Sequence, residues 1–183
     1  RLNAAGRMGD EGKALELLLT DDAEAAWRLA GELDAANRER QRVEKAMFAE
    51  AAKELDASFD PAADFALVVA REGWHPGVIG IVASKLVQKY ARPAVCLALD
   101  GDSGRGSSRS IEGFDLVRHL EPCADLLAKF GGHAMAAGME MPRDRVDAFR
   151  RRFNELARAT LQGQDLRPVQ RVDAWIDGLG QVD

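Results

Sequence analysis

Three sets of residues in this 183-residue chain are of types that could do chemistry: the histidines, a serine-arginine run and a bare glycine-histidine stretch. His75, His119 and His133 stand far apart, with no HxxxH, no CxxC and no dense carboxylate cluster beside them, so no residue is assigned to a metal from spacing. Gly104 to Ser110 holds Ser107, Ser108, Arg109 and Ser110 but no GxSxG elbow, which speaks against a serine nucleophile. The same run suits phosphate. Alternation along a strand puts Ser107 and Arg109 on one face. A hydroxyl and a guanidinium then match phosphate oxygens, each charge-assisted bond being worth roughly 1.5–3 kcal/mol. A glycine-serine edge strand with a surface arginine is the competing reading.

Phe130-Gly131-Gly132-His133-Ala134-Met135-Ala136-Ala137-Gly138 also has two readings. It is either a helix cap followed by a closely packed strand, or a ligand clamp whose ionisable group is His133. Glycine permits the backbone conformations that both require. With a reference pKa of about 6.5, a histidine there could donate to a phosphate or a base edge. Arg1 and Arg7, separated by small residues, read as a loop or frayed terminus, or as an anion-facing turn. His75 precedes Pro76 in a turn, where a packing histidine is the commoner outcome, and His119 is given no function.

The elements that must position these groups follow from periodicity. Lys13 to Leu19 is a short helix, with Asp21 or Asp22 able to cap what comes next. From Ala23 to about Leu55 there is no proline and one glycine, and Ala26, Leu29, Leu33, Ala36, Val43 and Met47 draw a thin apolar stripe. Such a helix is too lightly apolar for a core and reads as a strut. Phe65–Ala70 and Ala94–Leu99 are continuous apolar runs, hence buried strands, and Val78–Tyr90 between them is a helix, which makes a βαβ unit. Gly77 and Gly80 at that helix start let another part of the chain come close, and its N-terminus is worth ~0.3–1 kcal/mol to an anion.

A hairpin then leads to a strand over Arg105–Ile111. Next come a short helix with Leu116 and Leu120, and another from Pro122 that packs Leu126, Leu127 and Phe130 and stops at Gly131. Ala136–Met141 is a strand, and Pro142 opens a last helix striped by Val146, Phe149, Phe153 and Leu156. Arg150, Arg151 and Arg152 are read as its solvated face, and Val169–Ile176 as the first strand of a further unit.

Composition bounds the classes. Hydrophobic residues at 46% and charged residues at 30% fit a soluble globular chain. Neither a membrane span nor a signal peptide is visible. A net charge of -5 argues against coating nucleic acid non-specifically, although a local basic groove is compatible with it. Cys96 and Cys123 lack CxxC partners and read as buried reduced thiols, which points to a cytoplasmic protein. Opening on Arg1 and ending just after a strand-like run, the chain reads as a piece of something larger.

Four motifs occur in order: Arg1-Leu-Asn-Ala-Ala-Gly-Arg-Met8, Gly73–Leu86, Gly106-Ser-Ser-Arg-Ser110 and Phe130–Gly138. Together, from residue 1 to about 162, they resemble the bacterial RecJ family of single-stranded-DNA exonucleases. The Gly-Gly-His element is shared more widely among DHH-type phosphoesterases. The resemblance implies an α/β fold, a mixed sheet flanked by helices and preceded by a long connecting helix. Residues 1–20 would be the tail of an upstream metal-binding DHH domain, and 21–58 the connecting helix. Residues 59–163 would be the DHH-associated substrate-binding domain, and 164–183 a linker and the start of an oligonucleotide-binding β domain.

By position, the resemblance makes Ser107 and Arg109 the grip on a 5′-terminal phosphate, and Ser108, as the next hydroxyl of the run, is counted with them. It makes Gly131, Gly132 and His133 a clamp facing the metal domain, with His133 in a supporting catalytic role. Arg7 would lie at the interdomain groove and His75 would line the same cleft. Mn²⁺ or Mg²⁺ would be bound upstream and not by these residues, leaving the piece alone inactive. The expected partners are single-stranded DNA with a 5′ end, and repair and single-strand-binding proteins, with a monomer and no membrane. Alternatives are a short-oligonucleotide or cyclic-dinucleotide phosphodiesterase of the same superfamily, and a non-catalytic single-strand-binding module.

Overall fold

The apolar runs Phe65–Ala70 and Ala94–Leu99 need cover on both faces, and the rest of the chain is arranged to supply it. The structure, a computed structural model, describes residues 2–9 and 11–167. β1 (Leu67–Glu72) and β2 (Ala94–Asp100) run parallel, Leu67 opposite Ala94 and Glu72 opposite Leu99. The helix joining them is α4 (Ile79–Tyr90), as the βαβ pattern required. After Asp100 the chain reverses into β3 (Ser103–Arg109), and β5 (Ala136–Pro142) and β4 (Lys129–His133) complete a sheet of order β1-β2-β3-β5-β4. Every pair beyond β1–β2 is antiparallel. The expected α/β class with a mixed, helix-flanked sheet is what the structure shows.

Alternation divides the apolar side chains between two cores. Val68, Val95, Leu97, Met139 and Met141 meet α5 (Leu116–Leu120), a 3₁₀ turn (Glu121–Leu126), and Phe149 and Phe153 of α6 (Val146–Leu161). Leu67, Val69, Ala94 and Cys96 face the other way, onto Ile79, Val82, Ala83 and Leu86 of α4. β1 begins at Leu67 rather than Phe65 because the Phe65 and Ala66 N–H groups donate to Asn154 Oδ1 on α6, at 2.7 and 3.0 Å. Of the three arginines read as a solvated face, Arg150 donates to Val68 O at 3.0 Å and Arg152 pairs with Asp125.

α3 (Ala23–Ser58) is 36 residues, about 54 Å at 1.5 Å per residue. Asp22 caps it, accepting from the Glu24 and Ala25 N–H groups. Its first half buries Leu29 and Leu33 under α1 (Leu2–Met8) and α2 (Gly12–Leu19). The strut expectation is corrected for its second half, where Met47, Ala51 and Leu55 belong to the core that α4 closes. Ala51 and Ala52 let α4 pack closely, so a thin stripe suffices. Glu44 bridges the two helices, paired with Arg40 on its own helix and Lys85 on α4.

Two further expectations change. The segment around Arg7 is a helix, not a loop, because Ala4 and Ala5 are small enough to be buried against α3. Arg1 lies outside the described residues. Phe130 and Gly131 do not end a helix: the 3₁₀ turn stops at Leu126, and Lys129–His133 pairs with β5. Strand alternation then turns Phe130 toward the α6 core. A 3₁₀ turn, Arg143–Arg145, precedes α6 after Pro142. The strand expected over Val169–Ile176 lies outside the described residues.

Candidate nucleic-acid interface

Register across β3, β5 and β4 sorts the polar groups into three ranks. Arg109, Ala136 and His133 form one; Ser107, Gly138 and Gly131 form the next; Arg105, Glu140 and Lys129 form the third. Their partners on β2 are Ala94, Cys96 and Ala98, which all belong to the core on the α4 side of the sheet. The three ranks therefore share that face. α4 lies over β2 and β3, and the strip formed by β5 and β4 carries exposed side chains.

Ser107 and Arg109 are joined directly. Arg109 Nη1 donates to Ser107 Oγ at 3.1 Å and to Ser108 O at 2.7 Å. The pair lies against the first turn of α4, whose N-cap residue Val78 provides no side-chain cap. A Cβ at Gly80 would come within 2.9 Å of both Ser107 Oγ and Arg109 Nη2, so glycine is what lets the pair sit there. Arg7 Nη1 donates to Gly77 O at 3.3 Å, and a Cβ on Gly77 would lie 2.1 Å from Arg7 O. The end of α1 is thereby seated on the entry to α4. The close approaches expected at Gly77 and Gly80 are thus to the Arg7 backbone and to the Ser107–Arg109 side chains.

Electrostatically this corner is uncompensated. Burial, and after it the positive charge of Arg7, push the Arg109 guanidinium below its ordinary pKa. Neither arginine forms an ion pair with a carboxylate among the described residues. Half-burying a cation beside a like charge is unfavourable, and an anion bound between them would relieve it. The α4 N-terminus adds partial positive charge to the same place.

The remaining candidates separate. Ser108 is buried on the opposite face, its Oγ donating to Ala137 O at 3.0 Å, so its hydroxyl is not with Ser107 and Arg109. Alternation already carried that signal. Gly132 has φ +152, and a Cβ there would be 2.4 Å from Ala136 O, which makes it a requirement of the β4–β5 hairpin. Gly131 differs: a Cβ would meet nothing within 4 Å. His133 is exposed on the edge strand, two strands from Arg109 and so about 10 Å away at the usual strand spacing.

His75 Nδ1 accepts from the Gly77 N–H at 3.1 Å and orders the loop before α4, while its ring also lines a hollow with Arg105 and Glu140. His119 stacks on Phe114 and bonds Thr160 Oγ1 at 2.8 Å, a packing role. Cys96 and Cys123 are free and buried, burial pushing their thiols up to about 12 and about 11. Residue type and motif single out neither Arg105 nor Glu140, and Gly138 only as the end of the glycine-histidine stretch. Their signal was the two-residue period continuing from Ser107 and across to β5. Among the described residues no group of three His, Cys, Asp or Glu is arranged to hold a metal ion.

The family described as DHHA1 domain matches residues 64–159. The chain is 46% identical over 176 residues to the single-stranded-DNA-specific exonuclease RecJ of Bacillus subtilis (strain 168), covering 94% of this chain and 22% of that protein. To the RecJ of Dickeya dadantii (strain 3937) it is 41% identical over 186 residues, 97% of this chain and 31% of that protein. The crystal structure of RecJ in complex with Mn²⁺ from Thermus thermophilus superposes with a TM-score of 0.77 at 40% identity, over 86% of this chain and 23% of that one. The chain thus spans less than a third of the curated relatives named here.

Proposed function

Since the chain belongs to the DHHA1 domain family, we propose that it is the substrate-gripping part of a 5′→3′ single-stranded-DNA exonuclease. On this reading residues 1–20 close an upstream domain, 21–58 connect it, 59–163 bind the strand, and 164–183 lead to a further β domain. The observation that carries the reading is Arg109, half-buried, hydrogen-bonded to Ser107 and pushed down by burial and Arg7 without a carboxylate partner.

Arg109 and Ser107 hold the 5′-terminal phosphate, with Arg7 neutralising its second charge. His133 donates to the strand from the edge of the sheet, and the bare backbone at Gly131 lets it lie close. Divalent metal supplies the activated water in such an enzyme. On this reading the metal and the hydrolytic step belong to the upstream domain of the longer protein, and the residues of this chain hold and orient the strand.

The test is a comparison of 5′-phosphorylated and 5′-hydroxyl strands with the full-length protein. Arg109→Ala removes the preference for the phosphorylated end while the protein keeps its melting temperature. Equal losses on both strands would count against the assignment. A dinucleotide cleaved faster than a long single strand would favour a short-oligonucleotide phosphodiesterase instead.

A further inference from the structure

The middle rank of the open face carries no side chain beyond Ser107: its other members are Gly138 and Gly131. Neither glycine is there for the chain's own sake. Neither has a left-handed backbone, a Cβ at Gly131 would meet nothing, and one at Gly138 would meet only Gly106 O at 3.9 Å. On strands, where β-branched residues are favoured, two sterically free glycines side by side leave a flat strip of backbone. The ranks on either side do carry side chains, so the strip is the floor of a trough running across β5 and β4.

One wall is His133, in the rank of Arg109. The other is Arg105, with Glu140 held by Lys129 at 2.9 Å. Arg105 is exposed and makes no hydrogen bond or ion pair with a described residue. The hollow between this wall and the glycine floor measures ≈ 330 Å³. It adjoins a second hollow that shares Arg105 and Glu140 and reaches Trp74 and His75.

We propose that this trough receives the nucleoside of the 5′-terminal nucleotide, its ring lying on the Gly131–Gly138 strip and its edge met by Arg105 and Glu140. This rests on the reading of Arg109 and Ser107 as the phosphate grip. Arg105 is four residues along β3 from Arg109, about 14 Å in an extended strand, and on the same face. The wall suits a neutral, hydrogen-bonding group better than a second phosphate. Glu140 is itself acidic, and Glu72 and Asp100 line the adjoining hollow. A guanidinium and a carboxylate together offer donor and acceptor to a base edge. The flat floor accepts any base, so the trough strengthens binding of every terminal nucleotide, and Arg105 grades it by base identity.

The experiment measures binding by the full-length protein, without divalent metal, of 5′-phosphorylated single strands ending in a normal or an abasic nucleotide. The unsubstituted protein binds the normal end about tenfold more tightly. In Arg105→Ala the ratio falls several-fold. In Gly138→Val, whose side chain fills the trough, it falls to about one, and both variants keep their preference for a 5′-phosphate. A ratio of one in the unsubstituted protein, or a ratio that neither variant changes, overturns the trough. Should Gly138→Val not fold, the surface variant Arg105→Ala decides alone. Loss of the 5′-phosphate preference in the unsubstituted protein is a separate outcome, and it overturns the phosphate grip rather than the trough.

Discussion

The two faces of the sheet are finished in opposite ways. One is closed by α5, the 3₁₀ turn and α6, and buries Phe114, Phe149 and Phe153. The other is closed by α3 and α4 only over β1, β2 and part of β3, and then stops. Ser107 and Ser108 show the consequence at neighbouring positions. Ser108, facing the closed side, spends its hydroxyl on Ala137 O. Ser107, facing the open side, shares its hydroxyl with a half-buried guanidinium that lacks a carboxylate. The closed face holds the strands in register; the open face keeps a hydroxyl and a guanidinium paired at the edge of its cover.

The largest effect that could break this contrast is on the closed face. Phe153→Ala removes a fully buried ring packed between Phe114 and Phe149. It should cost about 3–5 kcal/mol of folding stability, measured by denaturant titration. On the open face Arg109→Ala should cost no more than about 1 kcal/mol, because the hydrogen bonds it loses to Ser107 and Ser108 are offset by removing a half-buried cation beside Arg7. It should weaken binding of a 5′-phosphorylated strand by about 10- to 150-fold, the equivalent of roughly 1.5–3 kcal/mol. If Arg109→Ala proved as destabilising as Phe153→Ala, the open face would be a core by another name.

Much of the contrast was legible beforehand. Continuous apolar runs at 65–70 and 94–99 marked strands buried on both sides, and alternation put Ser107 with Arg109. Ser108 groups with them by residue type, although the same alternation separates it. The β4 strand was illegible for a physical reason: Leu126, Leu127 and Phe130 sit at helical spacing, and Gly131-Gly132 has no period of its own. Only pairing with β5, a tertiary contact, decides it. The stripe drawn from Ala26 to Met47 understates α3, because it stops short of Ala51 and Leu55, which are buried. Pairing likewise separates Gly131 from Gly132, which composition treats alike.

That separation gives a smaller test. Gly131→Val adds a β-branched side chain to an edge strand where nothing obstructs it, so thermal stability should hold or rise slightly. If the strand lies on this strip as proposed, its binding should fall by about tenfold, ~1.4 kcal/mol, because the side chain would take the same space. Gly132→Val should instead fail on stability, since its Cβ meets the Ala136 carbonyl. Two adjacent glycines would thus lose different properties. If both variants melted early, the bare strip would belong to the fold and not to a ligand.

The smallest effect concerns how the open face keeps its partial lid. α4 presents its first turn to Ser107 and Arg109, and its Lys85 is tied to α3 through Glu44. Burial, the largest single influence on Glu44, works to raise its pKa. Lys85 and then Arg40 outweigh it and hold the carboxyl below its ordinary value. A carboxylate depressed in the folded state stabilises above its unfolded pKa and loses that contribution as pH falls through the folded one. Stability should therefore decline on acidification below the ordinary carboxylate range, and Glu44→Gln should flatten that part of the profile. Glu44 bridges α3 and α4 and lies on the other side of the sheet from Phe153. The neutral-pH deficit caused by Phe153→Ala should therefore be the same with and without Glu44→Gln. Denaturant titrations of the single and double variants at neutral and acidic pH read both quantities. A strong coupling between them would mean that the two faces stand or fall together.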